Sequence, residues 1–569
     1  MTEERSGSGD LDRLIQDWID EEMAASPTRA TTLGVDGHDH ELGDFQAEAF
    51  EDQNARARRW TARLEEVGDH GLSPSQRIDR DLVLSGLRGR LVMEDWQSWR
   101  RDPSLYLDPC LSGVFILFLQ AQHPLPDLVD SACARLAQVP SALEAAARQL
   151  DPALLAPVIR ERAIGQCQAA IRYYRELLPA EIPEPAGRAR LAEVGATAAE
   201  AFTTLAAHLS SLDPKGSYAI GDERYSALLR QRELLDYGAD GLHQRGRSAW
   251  ADLDARMTEV AARLGADSWR TALEEINSRH PSTPEEMLES YREVTERCRR
   301  FLIEQDVVTM PEGETCAVIP SPAYQRPVLA VASYLAPPAF KPSRAGHFFV
   351  PYPPSGTTPE QVQQRLATNS YASMATIAAH EAYPGHHWHL VWSQDHAGPV
   401  RSVVRTPYFS EGWALFAEHI MGEAGFFADD SERLCHLEAR IFRAARIVVD
   451  TSLHAGDMTI EQAVEHMHTH TGLSEATARA EVGRYCAWPT QAASYLTGAM
   501  ELERIRERYV TQGVGTARTF NDAVAATGSL PLGLAAQAVM NTPEFPATAF
   551  TARGSGSGRD DLPGHRPAG

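Results

Sequence analysis

Apolar residues recur at helical spacing over residues 10–25, 45–68, 76–98, 126–150, 154–178, 185–212, 223–264 and 284–305, and Pro and Gly interrupt the pattern between these stretches. Apolar positions three and four apart form one stripe on a helix, so the first half of the chain is predicted to be almost wholly helical. Near Val307 the texture changes. Pro and β-forming residues replace the Ala, Leu, Glu and Arg mixture, and Glu314–Ile319 and Gly346–Val350 each read as a short strand of a small sheet. From Thr358 the helical pattern returns, with an N-cap, Pro359 at the first helical position and Glu360 in the first turn, and this helix is expected to run toward His380. The fold class is therefore mainly α. The expected organisation is a disordered tail over 1–9, a helical N-terminal subdomain over 10–306, a catalytic subdomain over 307–553 and a second disordered tail over 554–569.

At 569 residues the chain exceeds one ordinary compact core, which suits either two packed subdomains or one large helical body with a central cleft. Its formal net charge of −24 repels phosphate backbones, so no nucleic-acid partner is expected, and such a charge also serves solubility. The longest apolar run, Val114–Leu119, is far too short to span a bilayer, and the N-terminus carries no basic stretch followed by an apolar one, so no membrane partner is expected. Seven scattered cysteines, an odd number with no close pair, read as core thiols of a reducing compartment. The expected location is the cytoplasm.

Four of the 20 histidines, His380, His386, His387 and His389, fall within ten residues, and Glu381 follows the first. In a helical HExxH segment two histidines one turn apart reach a single Zn²⁺ at about 2.0 to 2.1 Å, and the glutamate between them serves the attacking water. Here the fourth position after His380 is Pro384, so that spacing is absent. Proline lacks the amide proton and crowds the preceding turn, so the helix is expected to bulge or kink at Pro384 and Gly385. With two residues looped out, His386 takes the one-turn position as the second ligand, and His387 turns toward the outer layer of the site or the substrate.

The segment Phe409–His419 reads as a buried helix bearing Glu411 and Glu418, seven apart and on one face, where unpaired carboxylates are costly. Glu411 suits a third metal ligand, and Glu418 suits an acceptor that orients a ligand histidine. A third segment, Glu481–Tyr495, sets Gln491 and Tyr495 one turn apart, able to face a cleft. There the Tyr495 hydroxyl could donate to an oxyanion and Arg484 could bind a substrate carboxylate, although ordinary buried hydrogen bonds are the competing explanation. His466, His468 and His470 sit in the last turns of a helix that begins with a capping box at Thr459–Gln462, and His38 and His40 sit in a polar loop; neither group reads as a metal site.

In order along the chain, His380–His387, Glu411–Glu418 and Pro489–Tyr495 resemble the hallmark stretches of the DUF885 family, HExxPGHH, EGWAL(Y/F)AE and PxQAxSY. Ala30–Gly34, and Gly221–Tyr225 with Leu228–Arg230, are similar to its N-terminal landmarks, while Thr490 stands where the family usually carries glycine. The resemblance implies a gluzincin-like metallopeptidase clan and a large helical zincin or oligopeptidase-like fold. It also implies a deep substrate channel and a small sheet whose strand beside the active-site helix aligns an extended substrate. Gly346–Val350, with Phe348, is the candidate for that strand.

The combined expectation is metal-assisted hydrolysis of an amide bond, in a short peptide or a small amide. His380, His386 and Glu411 hold Zn²⁺, Glu381 is the general base, and Tyr495 supports the oxyanion. Arg484, Gln491, His387 and Phe348 would line the substrate. A pathway-specific hydrolase of one small metabolite and a non-catalytic peptide-binding protein of the same fold are the two alternatives.

Overall fold

The structure, a computed structural model, describes residues 4–541 apart from 323–325, 327–330 and 355. It is mainly helical with one three-stranded sheet, and the helices follow the apolar stripes closely in most places. Pro74–Val92 and Pro359–Ala367 each start at a capping box, Ser73 with Gln76 and Thr358 with Gln361, in which cap side chain and third-residue side chain satisfy each other's free backbone groups. The first helix, Glu4–Ala25, begins inside the stretch expected to be a tail, whereas the tail expected over 554–569 lies outside the described residues.

Three expectations are corrected. The stretch 223–264 is two helices, Asp222–Gln231 and Ala239–Arg263, separated by a turn in which Leu234 adopts a left-handed backbone conformation. Ser104–Gln120 is a helix the periodicity did not reveal, because its apolar run, from Val114 on, leaves no polar face to define a stripe. The helix begun at Thr358 ends at Ala367, and a new one capped by Ser370, Tyr371–Glu381, carries His380.

The sheet comprises β1 (Thr315–Pro320), β2 (Ser333–Leu335) and β3 (Ala345–Val350), in the order β1-β3-β2, with β1 parallel and β2 antiparallel to β3. The long helices pack in pairs: Ala239–Arg263 on Asp430–Ala455, Pro407–Glu423 on Ser494–Thr511, and Leu125–Gln149 on Pro185–Ser211. The texture change near residue 307 is real in secondary structure, but apolar packing crosses it. Each of the two hydrophobic clusters contains residues from before and after that point, for instance Trp60 and Met287 with Trp413, and Phe202 with Tyr485. The helix bearing His380 is wedged between Pro284–Glu304, Pro407–Glu423 and Asp430–Ala455, deep in the molecule.

Candidate metal centre

The His380 helix stops at Glu381, and a second helix, His386–His396, starts after Gly385 as its N-cap. The chain therefore breaks between the histidines instead of bulging within one continuous helix, with the Tyr383–Pro384 peptide cis. Trp413 Nε1 donates to the Pro384 carbonyl at 2.9 Å and holds the break against the helix Pro407–Glu423. Gly385 is required sterically: a Cβ there would lie 1.8 Å from the His380 carbonyl oxygen and 2.4 Å from that of Ala379, both immovable backbone atoms. That close approach brings the His386 ring onto the His380 ring, perpendicular to it with centroids 5.0 Å apart.

His380, His386 and Glu411 each direct one ligand atom into a space where all three atoms lie within 4.8 Å of one another. His380 Nε2 is 3.6 Å and His386 Nε2 is 3.5 Å from Glu411 Oε2. Those separations are long for hydrogen bonds but close to the roughly 3.3 Å between donor atoms around a tetrahedral ion with bonds of about 2.0 to 2.1 Å. Borderline nitrogen donors with one carboxylate make a set suited to Zn²⁺. The residues fit the metal.

The surrounding groups fix the orientation of this set. His380 Nδ1 meets Glu418 Oε1 at 2.8 Å, which leaves Nε2 toward Glu411, while Thr376 Oγ1 donates to Glu418 Oε2 at 2.6 Å. His436 Nδ1 approaches the same oxygen at 3.3 Å. Burial opposes the charge on His380, yet Glu411 and Glu418 outweigh it and raise the imidazole to about 9. Burial likewise opposes ionisation of Glu411, but His380 and His386 hold its carboxyl well below the usual range. For Glu381 burial wins: despite His380 and His386 nearby, its carboxyl is raised above the ordinary value.

His387, expected at the outer layer or the substrate, is fully buried, with Nε2 at 2.8 Å from Glu314 Oε2 and Nδ1 at 2.9 Å from the Tyr334 hydroxyl. Both ring nitrogens are engaged inside the protein, which leaves neither free to meet a ligand. Tyr383 donates to Glu314 Oε2 at 2.5 Å and Arg299 to Oε1 at 2.8 Å, and these groups overcome burial to bring the Glu314 carboxyl down to about 2. Phe348 is also corrected. Its ring is buried edge-on to Tyr291 with centroids 5.5 Å apart, and over His347–Phe349 the central strand β3 is paired on both sides, so its backbone is not free to align a substrate. Cys316 of the edge strand β1 lies in the field of Glu381.

The third segment reaches the centre through a backbone contact between helices. A Cβ on Gly412, next to Glu411, would stand 2.5 Å from Gly498 Cα, and a Cβ on Gly498 would stand 1.9 Å from the Tyr408 carbonyl oxygen. Tyr495, one turn before Gly498, has its ring under the Arg446 guanidinium at 4.7 Å and accepts a 3.3 Å hydrogen bond from Gln491. Arg484 is not available as a free carboxylate receptor, because it pairs with Glu481 at 2.8 Å and donates to Gln491 at 2.5 Å. Sequence reasoning missed Glu314, Tyr334, His436 and Arg443. His436 and Arg443 are seven apart on one helix face, and Arg443, whose Nε has no partner among the described residues, acts electrostatically on Glu381 and Glu418.

A family model described as bacterial protein of unknown function, DUF885, matches residues 27–539. The chain belongs to the DUF885 family. No curated protein matches the sequence. Two solved structures share the fold. A candidate lipoprotein of unknown function from Shewanella oneidensis matches with a TM-score of 0.75 at 22% identity, over 93% of this chain and 99% of that one. A candidate lipoprotein from Colwellia psychrerythraea matches with a TM-score of 0.78 at 18% identity, over 93% and 98%. None of the described helices here is long and apolar enough to cross a membrane.

Proposed function

We propose that this DUF885 protein is a zinc-dependent hydrolase of amide bonds, acting on short peptides, of the gluzincin kind that its HExxPGHH segment resembles. The observation that carries the reading is the convergence of His380, His386 and Glu411 beside a half-buried Glu381 that makes no hydrogen bond or ion pair among the described residues. Bound there, Zn²⁺ would polarise the scissile carbonyl and acidify the attacking water. Glu381 accepts the proton that the water loses as its oxygen bonds to the carbonyl carbon. The same carboxyl returns that proton to the amide nitrogen as the C–N bond breaks, leaving an acid and an amine. A carboxyl raised by burial is better matched to that exchange near neutral pH than an ordinary one. The Tyr495 hydroxyl donates to the oxyanion, and Glu418 keeps His380 in the orientation that presents Nε2.

The reading includes a location. Seven free cysteines suit a reducing compartment and hence the cytoplasm, whereas the similar structures are described as candidate lipoproteins, and cell fractionation separates the two. The activity is tested by metal analysis joined to a peptide-library digest of the wild type and of Glu381→Gln. Close to one zinc per chain in both, with peptide cleavage in the wild type alone, is the expected result. Equal cleavage by the variant would remove Glu381 as the base, and absence of bound zinc would remove the metal.

A further inference from the structure

A half-open cleft of about 600 Å³ lies between the N-terminal helices and two segments that lead into the candidate site. Val404 and Arg405 line it just before the helix that carries Glu411, and Pro489 lines it just before Gln491 and Tyr495. No candidate metal ligand lines it, but Arg405 connects the two regions. His389 lies in the field of both Arg405 and His386, and Arg405 acts on Tyr334, whose hydroxyl bonds to His387.

Four arginines line this cleft, and three of them, Arg29, Arg90 and Arg405, have no carboxylate at ion-pair distance among the described residues. Arg29 donates to the Val403 carbonyl and Arg90 to Gln53 Oε1 at 2.9 Å, while Arg405 donates to no group among the described residues. Two acids line the same cleft: Glu22 favours the charges of Arg29 and Arg90 but is itself paired with Arg56 at 3.4 Å, and Glu94 is paired with Arg58. The other lining arginine, Arg232, faces Glu233 at 3.5 Å. Arg29 and Arg90 are exposed and Arg405 is half-buried, and the Arg405 guanidinium is brought down to about 10 by burial and the charge of Arg29. All three side chains line a half-open cleft that solvent reaches. In a chain with 78 acidic against 54 basic residues, three arginines left without an acid are contrary to composition. Guanidinium forks match oxyanions in geometry, and several converging on one cleft add their attraction.

We propose that this cleft holds an anionic part of the substrate away from the scissile bond, so that the preferred substrates are peptides carrying several carboxylates. The proposal rests on the hydrolase reading above, and its test separates the two. Two probes are used, a hexapeptide ending in three glutamates with a free C-terminus and its counterpart ending in three amidated glutamines. Binding is measured by calorimetry on zinc-loaded Glu381→Gln protein, and cleavage on the wild type.

The acidic peptide is expected to bind at least about 10-fold more tightly than the neutral one, with a preference that falls as salt is raised. Arg90→Gln and Arg405→Gln, each added to Glu381→Gln, are expected to weaken the acidic peptide about 10-fold, the scale of a lost charge-assisted hydrogen bond, and to leave the neutral one unchanged. Arg90 contacts solvent, so its variant tests the idea even if Arg405→Gln fails to fold. Equal binding of both peptides, or a preference that survives Arg90→Gln, would overturn the proposal. Inorganic phosphate displacing the acidic peptide at micromolar concentration would replace the carboxylate assignment with a phosphate one. If acidic peptides bind through Arg90 but neither probe is cleaved, the cleft assignment stands and the hydrolase reading fails.

Discussion

At the scale of single residues, the choice between His386 and His387 is the sharpest. Pro384 made a regular helix impossible, so the sequence already favoured His386, and the break after Glu381 does place His386 on His380 and Glu411. His386→Ala and Glu411→Ala are therefore expected to lose zinc, and His387→Ala to retain it, as read by metal analysis after gel filtration. Zinc retained by His386→Ala and lost from His387→Ala would reverse the ligand assignment. What the sequence could not reveal was the partner of His387, because Glu314 lies 73 residues away and only the fold brings the two to 2.8 Å. Nor could it show that Arg484 is spent on Glu481. A further expectation follows from His380, held protonated up to about 9 in the metal-free site. A ligand nitrogen must be neutral, so zinc binding at pH 7 should release about one proton from His380, and affinity should weaken as pH falls below about 9. Calorimetry in buffers of different ionisation enthalpy reads that proton directly, and an enthalpy identical in all buffers would contradict it.

At the scale of elements, most of the architecture was legible because its helices carry one apolar stripe and marked caps, as at Ser73 and Thr358. Ser104–Gln120 was not legible, being apolar nearly all round, and β3 was found as a strand but not as the central one, since strand order depends on long-range pairing. The packing of the Glu411 helix on the Tyr495 helix depends on glycines that have no periodic signature. A methyl group on Gly498 would stand 1.9 Å from a carbonyl oxygen, so Gly498→Ala must push the two helices apart. The expected cost is at least about 3 kcal/mol, with weaker zinc binding, because Glu411 is carried by one of the displaced helices. Gly165 is the control. It lies within the helix Pro157–Arg172, and a methyl group added there would meet nothing within 4 Å, so Gly165→Ala should stabilise the protein by about 0.5 to 1 kcal/mol. Urea titrations of both variants decide the matter, and a Gly498→Ala protein as stable as the wild type would show that the helices do not rely on this contact.

At the scale of the whole molecule, the buried Glu314 joins parts of the chain that are distant in sequence. It takes hydrogen bonds from Arg299 on the helix Pro284–Glu304, which belongs to the N-terminal half, and from Tyr383 at the break between the two histidine helices, and it pairs with His387 just beyond that break. Its carboxyl falls from 4.5 to about 2 on folding, so the folded state binds its proton more weakly than the unfolded state does. The stability this group contributes is present above about pH 4.5 and is lost as pH falls through the folded value near 2. Other groups titrate over neighbouring ranges in both directions: burial lowers His389 to about 3 and raises Asp450 to about 7. The acid limb of the wild type alone therefore cannot be assigned to one residue. The difference between wild type and Glu314→Gln can be, because those other groups are common to both proteins. That difference is expected to be largest above pH 4.5, to include a pH-dependent part on the order of 3 kcal/mol, and to shrink steadily between pH 4.5 and 2. Urea unfolding of metal-free protein across that window reads it, and a difference that stays constant with pH would mean that Glu314 is held by packing and not by its charge.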